Sequence, residues 1–416
     1  MKILLQKATL IDSKHPFHYT TKDILITNGI ITAIEDEIID ETAEIVTYPN
    51  LHISRGWFDS SVSFGEPGYE ERETLLNGAD VASKSGFTDL LLNSGTKPVL
   101  DNQTGISFIK SKTSNSSCNI HPIGALTLSS ESKDLAELYD MKKSGAVGFY
   151  DFKKPIINSN LLKTALLYSQ SFNSVILSFP QDNSIAKGGL INEGLTSVNY
   201  GIKGIPNFAE EIQITRDLHI LEYTGGKLHI PTISTRKSLE LIKKAKSKGL
   251  NVTCSVAIHN LVFNDEKLKD FDTRFKVLPP LREEKDRLAL IRGVRTGAID
   301  MVTSDHLPID IENKKTDIEN AKYGTIGLES LFGSLLTLFK LDETIEILTR
   351  GRKIFNIEKP RLEIDNKASL TLFTLEDYVF SKNHILSKSK NSAFLGMKMK
   401  GKPLGVINGN KITINE

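Results

Sequence analysis

Eight short apolar runs recur between stretches of helical spacing, and that alternation restricts the architectures open to the middle of the chain. The strand candidates are residues 57–63, 88–93, 120–127, 146–151, 174–179, 227–233, 251–256 and 300–304. Helix-like segments lie between them, among them 70–84, 133–143, 207–222 and 235–248. The last begins on Thr235 as an N-cap, keeps apolar residues at helical spacing and ends at Gly249. Eight strands with intervening helices predict a (β/α)8 TIM barrel. A doubly wound open sheet is the competing architecture, since counting alone does not separate the two. No GxGxxG or Walker-type loop follows an early strand, which weakens the nucleotide-binding form of that alternative.

The two ends have a different texture. Residues 3–10, 23–26 and 30–34 read as strands, with Asn28-Gly29 as a hairpin signal. Residues 368–373, 403–407 and 411–414 read the same way around Asn408-Gly409-Asn410. The expectation is one small composite β domain built from 1–50 and 366–416, flanking an α/β barrel over 51–365. At 416 residues the chain has ample core for both.

Charge and cysteine content exclude several function classes. Lys and Arg number 52 against 51 Asp and Glu, so no net field favours nucleic acid or an anionic membrane. Lys84, Lys237 and the run Lys243, Lys244, Lys246 and Lys248 form a basic helix face, read as solvated in preference to a partner surface. Cys118 and Cys254 are too few for a disulfide framework and lie in apolar runs, as buried thiols do. The N-terminus turns polar at Gln6 and Lys7, too soon for a signal-peptide core, and no apolar run reaches membrane-spanning length. A cytoplasmic protein is the expectation.

Motifs in one order along nearly the whole chain resemble the dihydroorotases of the metal-dependent amidohydrolase superfamily. They begin with Ile53-Ser-Arg-Gly-Trp-Phe-Asp-Ser-Ser-Val-Ser-Phe-Gly-Glu-Pro-Gly-Tyr69, then Gly86-Phe87-Thr88 and Thr96-Lys97-Pro98-Val99. Asn192-Glu193-Gly194, Gly204-Ile205-Pro206, Leu278-Pro279-Pro280-Leu281-Arg282 and Asp300-Met301-Val302-Thr303-Ser304-Asp305-His306 follow. Gly324 to Glu329 and Lys390-Asn391-Ser392 with Phe394 complete the series. The resemblance implies the amidohydrolase barrel and, as ancestral chemistry, zinc-dependent ring opening of dihydroorotate to carbamoyl aspartate in pyrimidine biosynthesis.

The metal ligands that the resemblance implies are missing. The first-strand H-x-H corresponds to Ser61 and Ser63, and a neutral hydroxyl is a poor zinc donor. The carboxylate after strand four corresponds to Phe152, with Asp151 as the alternative register. The strand-five histidine corresponds to Phe179, or to Ser178 with a one-residue shift, and the strand-six histidine to Thr232. Asp305, at the position of the family's catalytic base and metal ligand, persists. Substrate contacts depart as well: the carboxylate-binding arginine corresponds to Gly65, two asparagines to Gly95 and Leu278, and a histidine to Ile309. The expectation is therefore a noncatalytic assembly or binding subunit without zinc, whose partner class is aspartate transcarbamoylase or a second copy. The rival is a divergent cyclic-amide hydrolase using Asp305, and a third reading is a small-molecule binding protein.

Each remaining signal has a bland reading. Asp305 beside His306 is read as a retained structural pair rather than an acid–base couple. Asp151 with Lys153 is read as an exposed loop pair, and Arg282 stands equally as a structural or a vestigial anion-binding residue. His15 and His18 are read as a surface turn, since no third donor completes a tetrahedral site. His229 lies three residues before Thr232, so strand alternation points it towards the helices. His259 lacks an evident partner, and His52, His121, His219 and His384 are scattered singly.

Overall fold

In the computed structural model, which describes residues 1–415, the eight apolar runs become eight parallel strands. They are β1 (Trp57–Val62), β2 (Phe87–Leu92), β3 (Asn119–Pro122), β4 (Gly148–Phe149), β5 (Val175–Leu177), β6 (Leu228–Ile230), β7 (Val252–Ala257) and β8 (Met301–Thr303). Each pairs with the next, β3 meeting β4 through a bridge between Gly124 and Phe149. A further parallel bridge, Val62 to His306, joins the end of β1 to the exit of β8. The ring is closed, which rules out the open sheet.

Strand alternation sorts the apolar side chains into two cores. Leu90, Leu92, Ile176, Leu228, Ile230, Val252 and Cys254 face outward into the layer shared with the helices. Phe58, Leu91, Tyr150, Val175, Leu177, Phe179 and Met301 fill the barrel itself, joined by Phe355. Burying each such side chain stabilises by roughly 1.5–3 kcal/mol. Both cysteines are buried and free, and desolvation pushes the Cys254 thiol up to about 12.

Helix ends follow the capping chemistry more closely than the apolar spacing. Thr235 accepts from the Ser238 amide at 3.1 Å and starts the helix Arg236–Ser247. The helix expected from residue 70 begins instead at Leu75, where Glu66 accepts from the Leu75 amide at 2.8 Å and Thr74 caps Asn77. Glu73 is buried in the preceding loop, accepting from the amides of Thr74 and Lys388. The segment expected over 133–143 is helical only from Leu138 to Lys143. On the basic face, Lys84, Lys237, Lys246 and Lys248 each meet a carboxylate, so the face is partly neutralised. Among the described residues no helix is long and apolar enough to cross a membrane.

The two termini share one eight-stranded sheet. Its order runs from Lys411–Ile414 through Lys398–Asn408, Ser369–Val379, His52–Arg55 and Lys2–Leu10 to Thr21–Thr27 and Ile30–Glu35, and the eighth strand, Glu44–Val46, also pairs with Lys2–Leu10. His52–Arg55 is the splice between the ends, antiparallel to Ser369–Val379 and parallel to Lys2–Leu10. The hairpin tips at Asn28-Gly29 and Asn408-Gly409 pack back to back. A Cβ on Gly29 would lie 2.6 Å from the Gly409 carbonyl carbon, so only glycine fits that left-handed turn.

Arg352 anchors the far end of the barrel from within. Fully buried, it donates to the carbonyls of Gly56 (2.8 Å) and Trp57 (3.1 Å), to Thr88 Oγ1 (3.2 Å) and to Asp89 Oδ2 (3.0 Å). Replacing it leaves Asp89 without its buried counter-charge. Arg352→Met is therefore expected to destabilise the protein by about 3–5 kcal/mol, read as a lowered urea midpoint with the fold retained at low denaturant.

Candidate functional site

The mouth of the barrel is organised by Asp59, a buried carboxylate on β1 that faces β8. It accepts from the Ser61 amide at 3.1 Å, from the Ser304 amide at 3.0 Å and from the Thr303 hydroxyl. Burial pushes this carboxyl up to about 6 against those hydrogen bonds. The clamp fixes Ser61 and Asp305 across the β1–β8 seam, and the Ser61 hydroxyl donates to Asp305 Oδ1 at 3.2 Å. Asn93, at the end of β2, then donates from its amide nitrogen to both Ser61 and Ser63, at 3.2 Å each. The two serines at the H-x-H positions thus face inward, as hydroxyls satisfied by an amide.

Lys153 and Asp151 do not form an exposed loop pair. Asp151 is buried and accepts from the amides of Leu126 (2.9 Å) and Thr127 (3.0 Å) and from the Thr127 hydroxyl (2.5 Å), holding the loop after β3. Lys153 turns the other way, into the mouth. Its ammonium lies 2.7 Å from Asp305 Oδ2 and donates to the Leu278 carbonyl at 2.6 Å, while its amide donates to the Tyr150 hydroxyl. The two side chains are only 10% and 2% exposed. Burial raises the Asp305 carboxyl above its ordinary range, and Lys153 pulls against that rise.

The remaining positions are apolar or consumed. Ser178 donates to Asp217 on the helix Asn207–Thr224 at 2.6 Å, so it faces outward and Phe179 occupies the barrel interior. Phe152 and Leu278 pack against the same interior cluster. A Cβ on Gly95 would sit 2.8 Å from the Phe152 ring, so the ring borders the space an asparagine there would need. Gly65 is tighter still, with a built Cβ 1.8 Å from the Tyr69 carbonyl oxygen. Ile309 is buried, and its amide donates to Asn391, which makes the Lys390-Asn391-Ser392 motif a structural strap. Thr232 is buried in a left-handed conformation (φ 50°), and its hydroxyl finds no partner among the described residues.

Several polar residues resolve into scaffold. Arg282, balanced in the sequence between two roles, is buried and spent on Ser234, Asn192 and the Ile205 carbonyl. His306 Nδ1 accepts from the amides of Gly327 and Leu328, capping the helix Leu328–Leu336. His229 corrects the expectation from alternation. It faces the barrel interior, bonded to Thr253 and Ser255 and edge-on to Phe355. The parity argument fails because β6 ends at Ile230 and the chain then turns left-handed at Thr232. His259 is buried with neither ring nitrogen hydrogen-bonded among the described residues, His121 pairs with Asp89 at the opposite end, and His15 accepts from the Phe17 amide in its turn.

Comparison with known proteins settles the ancestry. A family model described as Dihydro-orotase-like matches residues 52–238. The chain is 34% identical to the dihydroorotase of Pelotomaculum thermopropionicum, over 100% of this chain and 99% of that one. The chain belongs to the dihydroorotase family. It is also 36% identical to the dihydroorotase of Acetivibrio thermocellus, over 94% of each chain. Its fold matches the L-hydantoinase of Arthrobacter aurescens, with TM-score 0.85, 21% identity and coverage of 99% of this chain and 96% of that one. The dihydropyrimidinase of Brevibacillus agri gives TM-score 0.82 at 17% identity, over 100% and 95%.

Family members of this type use zinc, but the donors assembled here do not fit a dinuclear zinc centre. Zinc takes imidazole, thiolate or carboxylate ligands. At the positions that the resemblance assigns to ligands the mouth offers two hydroxyls at Ser61 and Ser63, a ring at Phe179, a hydroxyl at Thr232 and, in Asp305, a carboxylate already held by an ammonium, while the Asp59 and Asp151 carboxylates are tied to amides and hydroxyls of the scaffold. Among the described residues no three His, Cys, Asp or Glu side chains converge as a metal-binding group. Asn93 and Lys153 are the site residues that motif reading does not reach, because neither stands at a metal-ligand position.

His229 and His306 carry a measurable signature of this buried polar interior. Burial holds both rings at about 3, below the ordinary 6.5, so both are neutral in the folded protein. Unfolding exposes them and lets them protonate. The stability tied to their neutrality is present above the unfolded value and is lost as pH falls towards the folded one. The thermal midpoint is therefore expected to fall steadily from pH 7 to pH 4. In unfolding free energy, measured by urea denaturation across the same range, His229→Gln should flatten the pH dependence by at most about 1.4 kcal/mol per pH unit.

Proposed function

We propose that this dihydroorotase-family chain does not hydrolyse dihydroorotate and serves as a noncatalytic assembly or binding subunit, with aspartate transcarbamoylase or a second copy as its partner class. The observation that carries the reading is the state of Asp305. The one carboxylate kept at a ligand position has one oxygen engaged by Ser61 and the other by Lys153. A general base must reach the proton it abstracts and a water placed to attack. Here the carboxylate is buried against Lys153, whose ammonium also reaches the Leu278 carbonyl.

A divergent hydrolase using Asp305 without metal faces a second obstacle. Acyl transfer usually depends most heavily on stabilising the developing oxyanion. Lys153 is the only cation that meets Asp305 at this mouth among the described residues, and two of its three N–H donors already serve Asp305 and the Leu278 carbonyl. The arginine that would anchor a substrate carboxylate is replaced by Gly65, whose backbone packing leaves no room for a side chain. The partner assignment rests on the family relationship and on a barrel that keeps its fold while its mouth is filled.

Purified protein is expected to show no dihydroorotate hydrolysis above background, with or without added zinc. Ser61→His with Ser63→His should not restore it, because Phe179, Thr232 and Lys153 remain. Mixed with the aspartate transcarbamoylase of the same organism, the protein should elute in a larger complex on size exclusion. Turnover abolished by Asp305→Ala would overturn the noncatalytic reading.

A further inference from the structure

We propose that Lys153 is a tethered cation that has taken over the charge role of a metal centre, so that this barrel closes and holds its mouth without any ion. The inference deepens the reading of the mouth given above and rests on it. It concerns what neutralises and braces the mouth, which that reading leaves open.

Topology makes the pair unusual. Lys153 follows β4 and Asp305 follows β8. In a closed ring of eight, those two strands are separated by three others in either direction, so they stand on opposite walls. A salt bridge of 2.7 Å between residues 152 positions apart therefore spans the opening from wall to wall. The same ammonium donates to the Leu278 carbonyl on the segment that follows β7, and lies 5.6 Å from the centre of the Phe152 ring. One nitrogen thus ties three loops of the mouth, which is the geometric job of an ion shared between walls.

Backbone conformation supports the assignment independently. Lys153 (φ 53°) and Asp305 (φ 48°) both sit in the left-handed region without being glycine. Such conformations are costly and persist where the surroundings over-determine them, as at functional constraints. Both ends of the pair are held in the conformation that aims them at each other. The neighbouring replacements fit the same account: Phe152 lies against Gly95 and packs with Phe179, so the space beside the pair is filled by rings.

Electrostatics gives the reason. A buried carboxylate with no counter-charge is strongly unfavourable, and removing one member of a buried pair is worse than replacing both with neutral groups. Asp305, 3% exposed, has only the Ser61 hydroxyl besides Lys153, whereas Asp59 and Asp151 are each satisfied by three hydrogen bonds from amides and hydroxyls and do without a cation. With Lys153 in place a divalent ion would have to approach a fixed positive charge and displace it from its only carboxylate. The chain's own side chain thereby both satisfies Asp305 and excludes the ion.

Thermal unfolding of the full-length protein tests this, with chelator and with equimolar zinc. The wild-type midpoint should be the same in both. Lys153→Met should lower it by roughly 3–6 °C, and Lys153→Met with Asp305→Asn should recover at least half of the loss. A wild-type midpoint raised by zinc overturns the proposal, as does a Lys153→Met midpoint equal to wild type or a double variant no better than the single one. Assaying dihydroorotate hydrolysis on the same samples separates the two readings. Turnover with a zinc-indifferent midpoint sinks the noncatalytic function and leaves the tethered cation standing; no turnover with a zinc-raised midpoint does the reverse.

Discussion

Closure of the barrel between its first and eighth strands is the constraint on which the rest of this molecule is built. Asp59 reaches from β1 to the Ser304 amide and the Thr303 hydroxyl, and the Ser63 amide donates to the His306 carbonyl at 2.8 Å. Those bonds set the depth at which Ser61 and Asp305 stand, and hence the mouth they frame. The clamp is made of a buried carboxylate and main-chain amides, so it works whatever side chains occupy positions 61 and 63. A family member can therefore lose its H-x-H imidazoles there and keep the seam.

Much of the architecture is legible in the chain because strand and helix signals are local. Each barrel strand falls within or at the edge of an apolar run, and the Asn28-Gly29 and Asn408-Gly409 turns mark hairpins by their own chemistry. What is not local is not legible in that way. Lys153 reads as a loop residue beside Asp151, and its partner lies 152 positions away. His229 is misassigned by alternation because alternation holds only while the strand continues, and β6 is three residues long. Arg282 carries no mark in sequence that separates an anion site from the internal bonds it makes to Ser234 and Asn192. The degenerate ligand positions, by contrast, are visible from the family pattern, since each is a change of residue type at a fixed place.

The departures from that pattern interlock in space. By the resemblance, Gly95 corresponds to an asparagine and Phe152, in one of two registers, to a carboxylate. The ring beside Gly95 comes so close that a Cβ would meet it at 2.8 Å. By the same resemblance Gly65 corresponds to an arginine, and its amide donates to the Glu73 carbonyl at 2.9 Å while the Tyr69 carbonyl oxygen would lie 1.8 Å from a Cβ there. Neither is a simple deletion that a single reverse substitution repairs. Well-packed interiors tolerate compensated changes of volume far better than isolated ones, and these pairs are compensated. Restoring an isolated ligand would break packing before it rebuilt chemistry.

Thr232 shows where compensation stops. Its backbone keeps a left-handed conformation and its amide is held by Ser255 at 3.1 Å, yet its buried hydroxyl has no partner among the described residues. A buried hydroxyl left unsatisfied is unfavourable by about 1–3 kcal/mol, and the left-handed backbone adds to that. Nothing in packing alone requires a polar residue there, since Phe179 shows that this mouth accepts a large apolar side chain. At Asp305 the same kind of strained backbone is matched by a partner, Lys153; at Thr232 it is not. The difference follows from charge. A buried carboxylate with a single hydroxyl donor is penalised far more heavily than an orphan hydroxyl, so Asp305 takes a cation where Asp59 and Asp151 take amides and hydroxyls.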